Sequence, residues 1–235
     1  MYNDYKTSVE DYIMQGDIAN FIYKVYGWMA IALTITASVA YYISTMPVIA
    51  QTIFSNPFLL IGLFIAQLGV VVAISGFVNR LNYSTAVALF LVYAASVGLT
   101  FSVIFLHYTF ASIALTFLIT AGMFGAMCLY GYFTKADLSS WGSIGLMLMV
   151  GLIIGFLANL YFKNPMLDYI LSGIGVIVFT GLTAFDMQKI KQLGYHLLSD
   201  YEMLQKVSVL GALTLYLDFI NLFIMLLRFT GRSRD

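Results

Sequence analysis

Charged residues are scarce in this chain and are missing from long parts of it. They make up 9% of its 235 residues, whereas a soluble domain averages about 25%. None occurs between Lys24 and Arg80, or between Arg80 and Lys135. Each of these stretches has room for two passes through a bilayer, because one pass needs about 20 residues. The scarcity of charge therefore excludes a soluble globular protein and predicts a polytopic membrane protein.

Other residue types are too few for several kinds of site. The single cysteine, Cys128, excludes an intramolecular disulfide. The two histidines, His107 and His196, have no partner at metal-ligand spacing. The formal net charge is zero, so no basic patch suggests a nucleic-acid partner. No cofactor is expected.

Seven apolar segments follow one another along the chain. Pro47, Pro57 and Pro165 all fall between segments, where a proline interrupts no helix. The segments are too long for the strands of a membrane barrel. They cover residues 21–43, 58–78, 84–106, 110–132, 141–162, 167–190 and 206–228. The sequence therefore predicts an all-α integral membrane protein with seven transmembrane helices.

This segmentation also predicts how the chain is organised. A polar N-terminal tail (1–20) precedes a seven-helix transmembrane domain (21–229), and a short C-terminal tail (230–235) follows it. Residues 191–205 are expected to form the one long loop. With the N-terminus inside, seven Lys and Arg residues lie on the inner side and four on the outer side. This bias predicts a cytoplasmic N-terminus.

Small residues recur inside the predicted spans. Gly122 and Gly125 stand in the fourth segment, and Gly151 and Gly155 stand in the fifth. Small residues allow close helix approach in lipid, where no hydrophobic force drives association. We expect them to serve packing rather than ligand binding.

Asp218 is the charged residue that lies deepest in any segment. It stands in LYLDFINLF (215–223), near the bilayer centre, where a charge costs about 2.5–3.5 kcal/mol on insertion scales. Gly211, Thr214 and Asn221 share a helical face with it at i, i+3, i+7 and i+10 spacing. This stripe must face protein or water, which favours a pore-facing, functional role over a purely structural one.

Asp186 stands near the end of the sixth segment, after an uncharged run from Tyr169 to Phe185. A solvated helix end, with Lys189 as a local ion-pair partner at i+3, would also explain it. If the helix continues past Lys191, however, Asp186 is buried. Two carboxyl groups brought together inside such a bundle would share one proton and titrate as a unit.

Arg80 is the sole arginine before the C-terminal region and follows the second segment. It could pair with one carboxylate when the shared proton leaves. It could equally be an ordinary positive anchor on the inner side of the membrane.

Three stretches carry a resemblance to a known family. AFDMQKIK (184–191), LYLDFINLFIMLLRF (215–229) and FTKADLSSWGSIGLMLMVGLIIG (133–155) resemble the transmembrane Bax inhibitor motif family, and the likeness extends over nearly the whole chain. The resemblance implies seven helices with the last one central and the other six around it. It also implies a pH-sensitive calcium leak in which Asp186 and Asp218 form the sensor and gate and Arg80 is the latch.

The resemblance also bears on ligands and location. Asp186 and Asp218 would bind calcium transiently as it permeates. The chain is expected to lie in a bacterial inner membrane, since it ends in GRSRD without the extensions of eukaryotic relatives.

Other functions are also to be weighed. An intramembrane aspartyl protease is disfavoured, because the second aspartate lacks the preceding glycines and no proline follows Pro165. A proton-coupled carrier would need a repeat that is not visible. The alternative is a non-conducting regulator that binds a membrane protease or a cell-death factor through the N-terminal tail and the 191–205 loop.

Overall fold

The described residues form seven α-helices, and each is long and apolar enough to cross a membrane. The computed structural model describes the backbone of residues 2–46 and 55–231, with side chains from residue 14 onward. The helices are α1 (Tyr2–Ser44), α2 (Pro57–Phe77), α3 (Tyr83–His107), α4 (Phe110–Phe133), α5 (Ser139–Phe162), α6 (Pro165–His196) and α7 (Tyr201–Thr230). The prediction of an all-α protein with seven spans is confirmed.

Two of the three prolines open a helix. Pro57 is the first residue of α2, and the side chain of Asn56 caps that helix by accepting from Phe58 N at 3.0 Å. Pro165 opens α6, where Asn164 Oδ1 accepts from the Met166 amide at 2.9 Å. A proline in the first turn loses no helical hydrogen bond. Pro47 lies outside the described residues.

The N-terminal segment is helical and continuous with the first span. α1 begins at Tyr2, so residues 2–20, which the sequence suggested as a polar tail, extend the membrane helix. Among its described side chains, Ile18 is the first that is buried. At the other end of the chain, α7 ends at Thr230, and residues 232–235 of the predicted C-terminal tail lie outside the described residues.

The predicted long loop at 191–205 is wrong. α6 continues to His196 and α7 begins at Tyr201, so only four residues connect them. Helix α6 continues because its last turns are packed: a Cβ on Gly194 would stand 2.8 Å from the Phe21 ring and 3.2 Å from Ile18. Asp200 then starts α7 by accepting from the Met203 amide at 2.9 Å.

The described chain forms two compact units. The first comprises Met1–Val103 with Ile190–Leu213. Within it, Thr36 Oγ1 donates to the Ala94 carbonyl at 2.9 Å, which joins α1 to α3. Gln67 Nε2 donates to Thr100 Oγ1 at 3.0 Å, which joins α2 to α3. Such interhelical hydrogen bonds stabilise helix pairs in lipid, where the hydrophobic effect cannot.

The second unit comprises Ile104–Lys189 with Thr214–Asp235, and its glycines bring α4 and α5 close to α6. A Cβ on Gly131 of α4 would overlap the Ala184 carbonyl oxygen, and one on Gly142 of α5 would overlap the Phe185 ring. Gly155 also faces α6, as predicted, with Leu171 at 2.8 Å from its added Cβ. Gly122, Gly125 and Gly151, in contrast, face open space in the described structure. The packing expectation is therefore wrong for these three.

We predict that Gly131→Ala destabilises the protein by about 1–3 kcal/mol, the usual cost of overpacking. The added methyl group meets backbone rather than a flexible side chain, so α4 or α6 must shift. Gly125→Ala is the matched control, because it adds the same methyl group to the same helix where there is space. Denaturant unfolding in detergent micelles measures both, and equal stability of the two variants would refute the close α4–α6 contact.

Burial differs sharply among the spans. In α7, 67% of the most apolar stretch is buried, against 11% in α2 and in α5. The exposed side chains of α2 and α5 are large and apolar, for example Ile65, Leu68, Met147 and Ile154. Soluble monomers rarely expose patches of this kind, whereas a bilayer covers them. The central position of the last helix stays a prediction, to which the burial of α7 lends support.

Candidate functional site

Asp186 and Asp218 lie in the interior of the last two helices. Asp186 precedes the end of α6 at His196 by ten residues, and Asp218 precedes the end of α7 at Thr230 by twelve. At 1.5 Å per residue, each lies roughly 15–18 Å from that end. The condition for burial of Asp186, a helix that continues past Lys191, is therefore met.

The carboxyl groups of Asp186 and Asp218 lie next to each other within the second unit, close enough to interact directly. Ionised carboxylates only accept hydrogen bonds, so a hydrogen bond between them needs a proton on one of the two groups. Asp218 is 6% exposed and Asp186 is half-buried. Among the described residues, Asp218 Oδ2 is buried without a hydrogen-bond partner. The two buried carboxyl groups are therefore placed so that they can share one proton.

Sequence neighbours of the pair make apolar and local contacts. Next to Asp218, the Phe219 ring packs edge-on against Phe117 and Phe124 of α4, with ring centroids 5.4 Å apart in both cases. On α6, the buried hydroxyl of Thr183 donates to the Phe179 carbonyl of its own helix at 2.7 Å. The Thr183 hydroxyl hydrogen is therefore bonded within its own helix.

Lys189 is the residue whose positive charge acts on the Asp186 carboxyl group. Its side chain is exposed, and its ammonium lies 5.8 Å from the centroid of the Phe185 ring. The described residues contain no ion pair between Lys189 and Asp186. The alternative explanation of Asp186, a solvated helix end with a local ion pair, is therefore wrong.

The other predicted site residues have different surroundings. Gly211 is a packing position in the first unit, with Ile190 at 3.2 Å and Val25 at 3.4 Å from an added Cβ. Thr214 and Asn221 are half-buried on α7. Arg80 is exposed in the turn after α2, where its amide donates to the Phe77 carbonyl at 2.8 Å. The pore-facing stripe and the arginine latch stay predictions.

Gln188 is a buried residue of the AFDMQKIK motif for which no role was predicted. Its Oε1 accepts from the Leu138 amide at 3.0 Å, and its Nε2 donates to the Ala136 carbonyl at 2.8 Å. It thereby ties the α4–α5 connection to α6, two residues beyond Asp186. In the same connection, hydrogen bonds from Ser139 lower the pKa of the exposed Asp137 carboxyl.

An ion pair between Asp168 and Arg228 was also missed. It joins the first turn of α6 to the last turn of α7, with 3.1 Å between Arg228 Nη1 and Asp168 Oδ1. The Arg228 guanidinium also lies 4.9 Å from the centroid of the Phe156 ring. The sequence contained a signal for it, because consecutive membrane spans run antiparallel, which places the start of the sixth near the end of the seventh. Partly exposed pairs of this kind contribute about 0–1 kcal/mol.

Metal ligands are few around the pair. The described residues contain no group of three or more His, Cys, Asp or Glu side chains that could hold a metal ion. Calcium takes about six to eight oxygen ligands in a tight site. Any calcium bound by Asp186 and Asp218 would draw most of its ligands from water or backbone carbonyls.

Comparison with known proteins shows that nearly the whole chain, including residues of all seven helices, is similar to one family of proteins. Residues 18–235 match the family described as "Inhibitor of apoptosis-promoting Bax1". The inner membrane protein YbhL of Escherichia coli is 48% identical over 218 residues, which cover 92% of this chain and 93% of YbhL. Protein RP147 of Rickettsia prowazekii is 44% identical, with 93% of this chain and 92% of RP147 covered. The membrane protein SpyM3_0260 of Streptococcus pyogenes is 34% identical, with 93% and 96% covered. The chain therefore belongs to the Bax inhibitor family of membrane proteins.

Proposed function

We propose that this chain is a pH-sensitive calcium leak channel of a bacterial inner membrane, gated by Asp186 and Asp218. The close approach of these two carboxyl groups, deep in α6 and α7, is the observation that supports the proposal most. The name of the E. coli relative, an inner membrane protein, supports the location. No bond is made or broken in this function, so the protein is not an enzyme and needs no cofactor.

The shared proton sets the state of the gate. With the proton in place, the hydrogen bond holds α6 against α7 within the second unit. When the proton leaves, two carboxylates face each other, and at about 4 Å they repel by about 4 kcal/mol for an effective dielectric constant of 20. This repulsion separates the helices and opens a path. Calcium flux therefore rises as the pH rises through the titration of the pair.

The same carboxylates receive the ion. Calcium prefers oxygen ligands, and the unpartnered Oδ2 of Asp218 is one of them. Lys189, the other charged residue that acts on Asp186, is exposed and forms no ion pair with it among the described residues. The deprotonated pair therefore keeps a net negative charge that attracts calcium. A site with two carboxylates binds calcium weakly, which favours passage over storage.

Calcium flux into dye-loaded proteoliposomes tests the proposal. Vesicles with the full chain are compared with empty vesicles at mildly acidic, neutral and mildly alkaline pH. We expect flux above the empty vesicles that increases with pH. If no flux is detected at any pH, the leak fails and the non-conducting regulator becomes the better hypothesis.

A further inference from the structure

A cleft of about 580 Å³ opens in the first unit. Asp17, Asn20 and Lys24 line it from α1, and Leu198 and Tyr201 line it from the α6–α7 connection and the start of α7. The apolar run of α1 begins at Phe21, between Asn20 and Lys24, and α7 begins at Tyr201. Both walls thus belong to the polar ends of membrane spans, where tyrosine side chains commonly lie at the headgroup level.

The cleft presents one acidic and one basic side chain. Asp17, Asn20 and Lys24 share one face of α1 at i, i+3 and i+7 spacing. The two charged residues are therefore separated by about 10 Å along the helix. Among the described side chains neither takes part in an ion pair. The Lys24 ammonium is held over the Tyr201 ring, 5.3 Å from its centroid.

We propose that this cleft binds the headgroup of a phosphoethanolamine lipid. Lys24 and the Tyr201 hydroxyl donate to the phosphate, while the Asp17 carboxylate accepts from the ammonium group. With about 10 Å between these residues along α1, their side chains can reach the two ends of a short zwitterion, with a hydrogen bond of about 2.9 Å at each end. Leu198 and Leu204, which also line the cleft, contact the glycerol and the first acyl carbons.

The charges select this headgroup over the other common ones. A primary ammonium has three N–H donors for Asp17, whereas the trimethylated ammonium of choline has none. Quaternary ammonium groups usually bind on aromatic faces, but Lys24 already occupies the face of Tyr201. An anionic lipid without an ammonium group would leave the Asp17 carboxylate beside a second negative charge.

Native mass spectrometry of the full chain in detergent tests this site. The protein is offered an equimolar mixture of phosphatidylethanolamine, phosphatidylcholine and phosphatidylglycerol with identical acyl chains. We expect retention of phosphatidylethanolamine over phosphatidylcholine by about tenfold, the effect of one charged hydrogen bond. Asp17→Asn should abolish this preference, and Lys24→Gln should reduce phosphatidylethanolamine binding by a similar factor.

Matched variants and a soluble probe make the outcome decisive. Asp137→Asn and Lys135→Gln change exposed residues of the α4–α5 connection and should bind lipid as the wild type does. Soluble phosphoethanolamine should not displace the lipid at equal concentration. The proposal is overturned by equal binding of the three lipids, by Asp17→Asn behaving like Asp137→Asn, or by displacement with the soluble headgroup. Because the readout is lipid binding, it is independent of calcium flux.

Discussion

Calcium flux through Asp218→Asn should lose its dependence on pH and stay at the low level that the wild type shows in mild acid. The asparagine amide can donate to Asp186 as the protonated carboxyl group does. This donor does not leave as the pH rises, so α6 and α7 stay joined. In the wild type, a repulsion of about 4 kcal/mol exceeds what a tenfold change in an equilibrium requires. We therefore expect wild-type flux to vary at least about tenfold across the transition.

The partner and a control complete this experiment. Asp186→Asn should give the same flat profile, because it leaves one carboxyl group without a titrating neighbour. Asp168→Asn changes another aspartate of α6, which pairs with Arg228 instead, and should keep the wild-type profile. A wild-type pH profile in either pair variant would contradict the proton-sharing gate.

Gln188→Ala should lower the free energy of unfolding by about 1–3 kcal/mol, the cost of leaving a buried donor unsatisfied. The substitution removes the acceptor of the Leu138 amide, and Leu138 is buried at the start of α5. The Ala136 carbonyl loses its donor as well, but Ala136 is exposed and can bind water. The loss should therefore come mainly from the Leu138 amide. Denaturant titration in detergent micelles measures it.

Gln192→Ala is the control for Gln188→Ala. It removes the same amide group from an exposed position of the same helix, with the same change in helix propensity, so its stability should match that of the wild type. If the two alanine variants are equally stable, Gln188 does not hold the α4–α5 connection to α6.

The parts that could be predicted from sequence were those set by composition. Two uncharged stretches and the proline positions gave the seven spans, because hydrocarbon tolerates few alternatives to an apolar helix. The depth of Asp218 followed from its place in an unbroken apolar run. For Asp186, the pairing rested on the family resemblance, since its nearest charged neighbour in sequence, Lys189, suggested a local ion pair.

The parts that could not be predicted depend on contacts between distant segments. Residues 191–196 are polar and contain Gly194, a composition typical of a loop, yet packing against Phe21 and Ile18 keeps them helical. Gln188 has no signature in sequence, because its partners at residues 136 and 138 come close only once α4 and α5 have packed against α6. In both cases tertiary contacts override the local pattern.

Infrared spectroscopy of the reconstituted protein tests the shared proton most directly. A protonated carboxyl group has its own C=O absorption, which an ionised group lacks. At mildly acidic pH the wild type should show one such absorption from the pair, and it should vanish in a single step as the pH rises. Asp186→Asn and Asp218→Asn should each lack it, whereas Asp168→Asn should retain it. A wild-type spectrum without this absorption, or one that neither pair substitution changes, would contradict the account.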